Sequence, residues 1–387
     1  MINRRQVLAS GLSFAAGASV LTLAGGAAFA QGQPVKVGFL MPLTGSAGKI
    51  GNWMLDGSRV AVDEINKNGG ILGRPIELVL EDTQAQAKLG VDGFRKLVDV
   101  NNSPVIITGF TAVTMAIAPL SEQSKTYLLT ASTASPVVRG VSKYLQSTWM
   151  FEDEGVRLIL PYAKAQLGVK RLAVMTLVSD LGKSLSDAVK KQWAAQGEQL
   201  VGEETHQAME PNFRPSLLKL LTTRPDAIYI TNSTGKESAQ IIKQSRDLGY
   251  KGAFLSFGAL ESPDVANLGD VAENCFYTVP NYDPQSGNAK TQAFIAAFKE
   301  KMNREPGVHE ANHYDVIYLI KQVSEDVIKS GGTLNGETFR NQFQKKYGTF
   351  EGAASKYQFD FSDGSVLRAT ILKTVKGGNF VKVADLV

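Results

Sequence analysis

Short runs of Val, Ile and Leu recur along this chain, separated by amphipathic stretches, and that alternation constrains the fold more than any other feature. The runs lie at residues 35–43, 76–81, 105–110, 127–132, 172–178, 227–233 and 253–257. They show little period-two patterning, as expected of parallel strands buried on both faces. In the first intervening stretch Met54, Leu55, Ala61, Val62 and Ile65 recur at helical spacing, and Asn68-Gly69-Gly70 ends it. Strand and helix in alternation imply a doubly wound α/β sheet.

The alternation pauses near 144–154 and breaks again at Pro280-Asn281-Tyr282-Asp283-Pro284. Three helical patterns follow, at 290–304, 308–329 and 335–347. The tail reads as short antiparallel strands at 357–361, 365–375 and 379–383, with turns at Asp363-Gly364 and Gly377-Gly378. These breaks predict two Rossmann-like lobes that are discontinuous in sequence. Residues 31–152 plus 283–350 form one, and residues 153–282 plus 351–387 form the other. Several parallel crossings between lobes make a multi-strand hinge with one main degree of freedom, suited to closing around a ligand.

The first thirty residues carry Arg4 and Arg5, then an apolar stretch loosened by Gly11, Gly17, Gly25 and Gly26, then Ala28-Phe29-Ala30. The pattern is that of a signal peptide cleaved after Ala30 rather than a membrane anchor, and the paired arginines are similar to a twin-arginine signal. No cysteine stands in the leader to take a lipid, so a periplasmic destination is expected. Cleavage removes two of 41 basic residues and none of 37 acidic ones, so the mature net charge is +2. That balance argues against nucleic acid or an anionic membrane surface as partner. The single cysteine, Cys275, has no partner for an internal disulfide, so the fold rests on its core.

Three loops leave first-lobe strands at their carboxyl ends, at 44–50, 109–114 and 131–133, where ligands sit in open α/β sheets. Thr111, Thr114, Ser132 and Thr133 enrich the last two in small hydroxyls. Such residues let backbone N–H groups approach a carboxylate and add donors, although Ser and Thr also serve as plain helix caps.

Four blocks carry a family resemblance. They are Ile65-Asn66 with Gly69-Gly70-Ile71-Leu72-Gly73-Arg74 and Asp82, Pro42-Leu43-Thr44-Gly45, Asn212-Phe213 with Leu217, Leu220 and Pro225-Asp226-Ala227, and Tyr314-Asp315-Val316. In order and spacing they resemble the leucine/isoleucine/valine-binding branch of type I periplasmic binding proteins. The resemblance implies a non-enzymatic solute-binding protein, with no cofactor. It would act as a monomer that takes a small molecule in the interlobe cleft and docks on an ABC transporter permease at the inner membrane. A sensor that presents ligand to a receptor has the same sequence signature.

Carried over position by position, the resemblance assigns Ala131 and Thr133, with Ser132, to the carboxylate loop. Phe110, Thr111, Val113 and Thr114 fall in the loop before it. Ile50 stands where relatives place an aromatic, with Trp53 a turn later. In the second lobe Leu181 and Thr234 fall near positions that are tyrosines in amino-acid binders, and Tyr282 lies in the second break. The acid that holds an amino group aligns near Phe257 or Gly258, neither of which is charged. Unless Glu261 or Asp180 reaches in, an ammonium has no partner there, and a keto acid, amide or aromatic carboxylate becomes as plausible as leucine.

Two other motifs compete. His309-Glu310-Ala311-Asn312-His313 is a literal H-E-x-x-H, which on a helix suits a zinc hydrolase with Glu310 as base. The only further histidine, His206, falls in the other lobe, so the motif reads as polar first-turn residues on a solvated helix. Gly45-Ser46-Ala47-Gly48-Lys49-Ile50 misses a phosphate loop, with Ile50 where Ser or Thr must hold magnesium.

Overall fold

The computed structural model describes residues 32–232 and 234–386, so the expected signal peptide lies outside the described residues. The chain begins with β1 (Val35–Met41), α1 (Gly48–Lys67), β2 (Ile76–Asp82), α2 (Ala87–Arg95), β3 (Val105–Gly109), α3 (Thr111–Ser124), β4 (Tyr127–Ser132) and β5 (Leu145–Ser147). These strands form one parallel sheet in the order β2-β1-β3-β4-β5. β3 is buried along its whole length, which explains why it lacks alternation.

A second unit follows. It comprises α4 (Glu152–Gln166), β6 (Leu172–Leu177), α5 (Asp180–Ala194), β7 (Gly202–His206), α6 (Arg214–Thr222), β8 (Ala227–Ile230), α7 (Gly235–Asp247), β9 (Ala253–Phe257), the single turn α8 (Pro263–Ala266) and β10 (Cys275–Pro280). Its parallel strands repeat the first order, β7-β6-β8-β9-β10. Cys275 is free and buried, and burial pushes its thiol up to about 12.

The chain then returns through α9 (Ala289–Met302), α10 (Val308–Lys329) and α11 (Gly336–Lys346). α10 packs along α1 so closely that a Cβ at Gly57 would lie 2.1 Å from the Glu310 carbonyl oxygen. β11 (Thr349–Glu351), β12 (Lys356–Asp360) and β13 (Ser365–Leu367) make a small antiparallel sheet. β14 (Thr370–Lys376) and β15 (Asn379–Asp385) finally add antiparallel strands to the second sheet beside β10.

The tail differs from the expected division at 350/351. Residues 349–367 stay with the first unit, and only 370–386 join the second. Three ties hold the small sheet there: Ser147 N–H donates to Gly364 O at 2.8 Å, Gln146 Nε2 donates to Ser365 O at 2.7 Å, and Arg139 pairs with Asp363. Asp315 accepts from the backbone of Ala353 and Ala354 at 2.6 and 2.8 Å, which gives the Tyr314-Asp315 block its structural task. The expected single strand 365–375 is broken at Arg368-Ala369, where the chain crosses between units. Arg368 is buried at that crossing, donating to Thr148 O at 3.1 Å and Asn312 Oδ1 at 2.6 Å, with Tyr357 beneath it at 4.4 Å. The other crossings pass near 148–152 and 280–283, and Asn281 N–H donates to Ala369 O between two of them.

The helix at 308–329 has the expected bounds but not the expected exposure. His309, Glu310 and His313 are all buried, because α10 is an interior helix packed among α1, α11 and the first sheet, with Trp149 over its first turn, not a solvated one. β5, β7 and β11 carry no apolar signal strong enough to predict, whereas β10, Cys-Phe-Tyr-Thr-Val-Pro, is an apolar run that was not among those expected. β7, for example, reads Gly-Glu-Glu-Thr-His, with one fully buried residue at an edge.

Candidate functional site

Both sheets have the 2-1-3-4-5 order, whose switch points lie where β1 meets β3 and where β6 meets β8. Ligands in such sheets sit beyond the carboxyl ends of the strands at those points. The two units face each other with these ends, and a cavity of about 50 Å³ lies between them. Ile50, Met54, Phe110, Thr111 and Ser132 line it from the first unit. Leu181, Phe257, Gly258 and Ala259 line it from the second, with Ala134 and Trp149 near the crossing and His309 from α10. The space is narrow, bounded by side chains of both units.

One wall is set by Phe110, held at φ +64° at the N-cap of α3. A bulky residue in that region is strained, by about 1–3 kcal/mol. The turn starts α3 directly at the cavity, with Thr114 N–H making the first helical bond, to Phe110 O at 2.9 Å. The N–H groups of Thr111, Ala112 and Val113 therefore lack intrahelical acceptors, and the positive end of the helix dipole favours an anion. The Thr111 hydroxyl is buried with no hydrogen-bond partner among the described residues. Ser132 Oγ donates to Met41 Sδ over a long 3.8 Å.

The opposite wall is aromatic. Trp149 stacks on His309 with ring centroids 4.9 Å apart and planes 7° apart. Burial holds the His309 imidazole neutral, lowering it to about 4, and neither ring nitrogen has a hydrogen-bond partner among the described residues. The Gly258 carbonyl lies beside the ring but outside strict hydrogen-bond geometry. Unsatisfied buried polar atoms cost about 1–3 kcal/mol each, which a ligand can recover. At Gly258, a Cβ would come within 3.2 Å of Trp149 Cζ2, so the indole fills the space a side chain there would take.

No charged side chain lines the cavity among the described residues. Glu261 is held by Lys373 at 2.8 Å and by the Tyr277 hydroxyl at 3.1 Å. Asp180 sits exposed in the first turn of α5. Neither reaches the cavity.

Of the residues expected from sequence, Ile50, Phe110, Thr111, Ser132, Leu181 and Phe257 meet at this cavity. The others do not. Thr133 is fully buried and bonds Thr114 Oγ1 at 2.8 Å and the Thr130 hydroxyl, so Thr114 and Thr133 are spent on each other. Ala131 is buried beneath, its carbonyl accepting from Asn312 at 3.0 Å. Val113 packs in the core of the first unit. Thr234 caps α7 through Glu237.

Trp53 and Tyr282 line a separate open groove of about 570 Å³, where Arg304 lies over the Trp53 ring at 5.5 Å. Its cations are already paired, Arg304 with Asp56 and Glu310, and Lys373 with Glu261. Met54, Ala134, Trp149, Ala259 and His309 were missed by sequence reasoning. A tryptophan in the segment crossing between lobes was the available signal for Trp149.

The H-E-x-x-H residues do not converge on a metal. Glu310 is bound by Arg304, and it accepts from Gly307 N–H at 3.0 Å to cap the helix. His313 Nδ1 faces the His309 carbonyl at 2.9 Å. Among the described residues no three His, Cys, Asp or Glu side chains form a metal-binding group.

Residues 34–379 match the family model described as periplasmic binding protein. A Leu/Ile/Val-binding protein of Rhizobium johnstonii is 25% identical over 293 residues, 74% of this chain and 78% of the relative. The Leu/Ile/Val-binding protein of Escherichia coli K12 is 25% identical over 278 residues, 70% of this chain and 74% of the relative. Among solved structures, a leucine-binding protein from Thermotoga maritima superposes with a TM-score of 0.82 at 25% identity, covering 90% of this chain and 98% of that one. A solute-binding protein of R. palustris, solved with benzoate, gives a TM-score of 0.81 at 19% identity over 92% of this chain and 96% of that one.

Proposed function

We infer that this chain, which belongs to the periplasmic binding protein family in its leucine/isoleucine/valine-binding branch, is the exported ligand-binding component of an ABC transporter. It captures a small amphipathic carboxylate between its lobes and delivers it to a permease at the inner membrane. The carrying observation is the cavity between the two switch points. It joins apolar and aromatic side chains to the open N-terminus of α3 and the free Thr111 hydroxyl. A carboxylate satisfies those donors, and the apolar walls take the rest of the ligand.

The amino group of a zwitterion has no such welcome. Closure strips its water and the cavity offers no carboxylate, since Glu261 is tied to Lys373 and Asp180 faces solvent. A 2-oxo acid or aromatic carboxylate avoids that cost. In a thermal-shift screen, carboxylates that bind the folded state raise the melting temperature. We expect 2-ketoisocaproate to stabilise the protein at least as much as leucine at one pH and salt concentration. Selective stabilisation by leucine sinks the charge argument, and no shift with any carboxylate sinks the function.

A further inference from the structure

The cavity holds four rings, Phe110, Trp149, Phe257 and His309, and one of them carries unused hydrogen-bonding groups. His309 is only 4% exposed, has no partner on either ring nitrogen among the described residues, and keeps its plane fixed by the stack on Trp149. A histidine placed only for packing has no need of polar ring atoms that find no well-formed hydrogen bond among the described residues, with only the Gly258 carbonyl beside the ring. The α3 N-terminus and Thr111 form a second polar locus in the same space. Aliphatic contacts come from Ile50, Met54 and Leu181. A ligand that satisfies the whole cavity is therefore flat, anionic at one end and polar but uncharged at another.

Resting on the binding-protein reading above, we propose that the ligand is a hydroxylated aromatic carboxylate, and that His309 is the residue that selects its ring hydroxyl. The carboxylate meets the α3 N–H groups and Thr111, and the ring lies among the aromatic walls. The hydroxyl donates to, or accepts from, the imidazole. A neutral imidazole has one nitrogen of each kind and can serve either way. Buried as it is, the ring stays neutral at physiological pH, so it discriminates by hydrogen bond and adds no charge of its own.

Calorimetric titration of the full chain with 4-hydroxybenzoate, 4-methylbenzoate, benzoate and leucine tests this. In the unaltered protein the hydroxyl compound should bind about tenfold tighter than its near-isosteric methyl partner. His309→Phe keeps a flat ring on Trp149 but removes both nitrogens. It should erase that preference, bringing the affinities for 4-hydroxybenzoate and 4-methylbenzoate within about threefold of each other. Equal binding of the hydroxyl and methyl compounds in the unaltered protein overturns the proposal even if the variant fails to fold. A hydroxyl preference that survives in His309→Phe overturns the role of His309. Tighter binding of leucine than of every benzoate overturns the ligand class but leaves the binding-protein reading intact. Failure of all four to bind overturns the ligand class, and the absence of any response in the carboxylate screen is the separate result that counts against the binding-protein reading.

Discussion

Thr111 and Thr133 sit in neighbouring loops, have the same side chain, and are both buried, yet they do different work. Thr133 exchanges hydrogen bonds with Thr114 and Thr130, which locks the turn after β4 to α3. Thr111 has no such partner among the described residues. Replacing Thr133 by Val leaves buried hydroxyls unpaired, so we expect a stability loss of about 1–3 kcal/mol in denaturant unfolding. Thr111→Val should instead cost about tenfold in carboxylate affinity by calorimetry, with the unfolding midpoint nearly unchanged. A reversed pattern would return Thr133 to the ligand.

Glu152, at the start of α4, gives a pH signature. Burial pushes its carboxyl up to about 8, and its Oε2 accepts from Thr278 at 3.3 Å. Its folded pKa lies above the unfolded value, so the folded state binds the extra proton. Its contribution to stability is complete below about pH 4.5 and is lost as pH rises through about 8. Glu152→Gln should flatten that decline when unfolding midpoints are compared from pH 6 to 9. An unchanged slope would mean the carboxylate is already ionised.

Among the elements, the α1–α10 crossing positions the site. Gly57 allows the helices to meet at the Glu310 carbonyl, one residue beyond His309. A methyl there pushes α10 outward, so Gly57→Ala should destabilise the fold by about 1–3 kcal/mol and weaken ligand binding as well. Full retention of both would mean the crossing is slack. Across the mouth of the cleft, Lys49 near the start of α1 pairs with Asp264 of α8 at 2.7 Å. Lys49 is 60% exposed, so this ion pair is worth at most about 1 kcal/mol and is screened by salt. Lys49→Ala should speed ligand dissociation by about twofold in stopped-flow at low salt and have no effect at high salt.

At the scale of the whole molecule, two sheets whose parallel strands share one order face each other across a narrow cavity, and three crossings join them. Parallel crossings favour hinge motion, and on the proposed function ligand would shift the population toward the closed form. Small-angle scattering should therefore give a larger radius of gyration without ligand than with it. Identical values would mean that binding does not proceed by lobe closure.

The alternation of apolar runs and amphipathic stretches was enough to specify two doubly wound sheets, because burial on both faces writes itself directly into local composition. The bounds of α10 and the turns at Asp363-Gly364 and Gly377-Gly378 were legible for the same local reason. The site was only half legible. Whether a hydroxyl is free or spent depends on a partner nineteen residues away, as between Thr114 and Thr133. His309 looked like a solvated first-turn residue until Trp149, from the opposite end of the lobe boundary, stacked upon it. Periodicity reports which face of an element is buried, and it reports that from neighbours in the chain. Which polar atoms remain unpaired is decided by groups that only tertiary packing brings together, and those unpaired atoms are what a ligand finds.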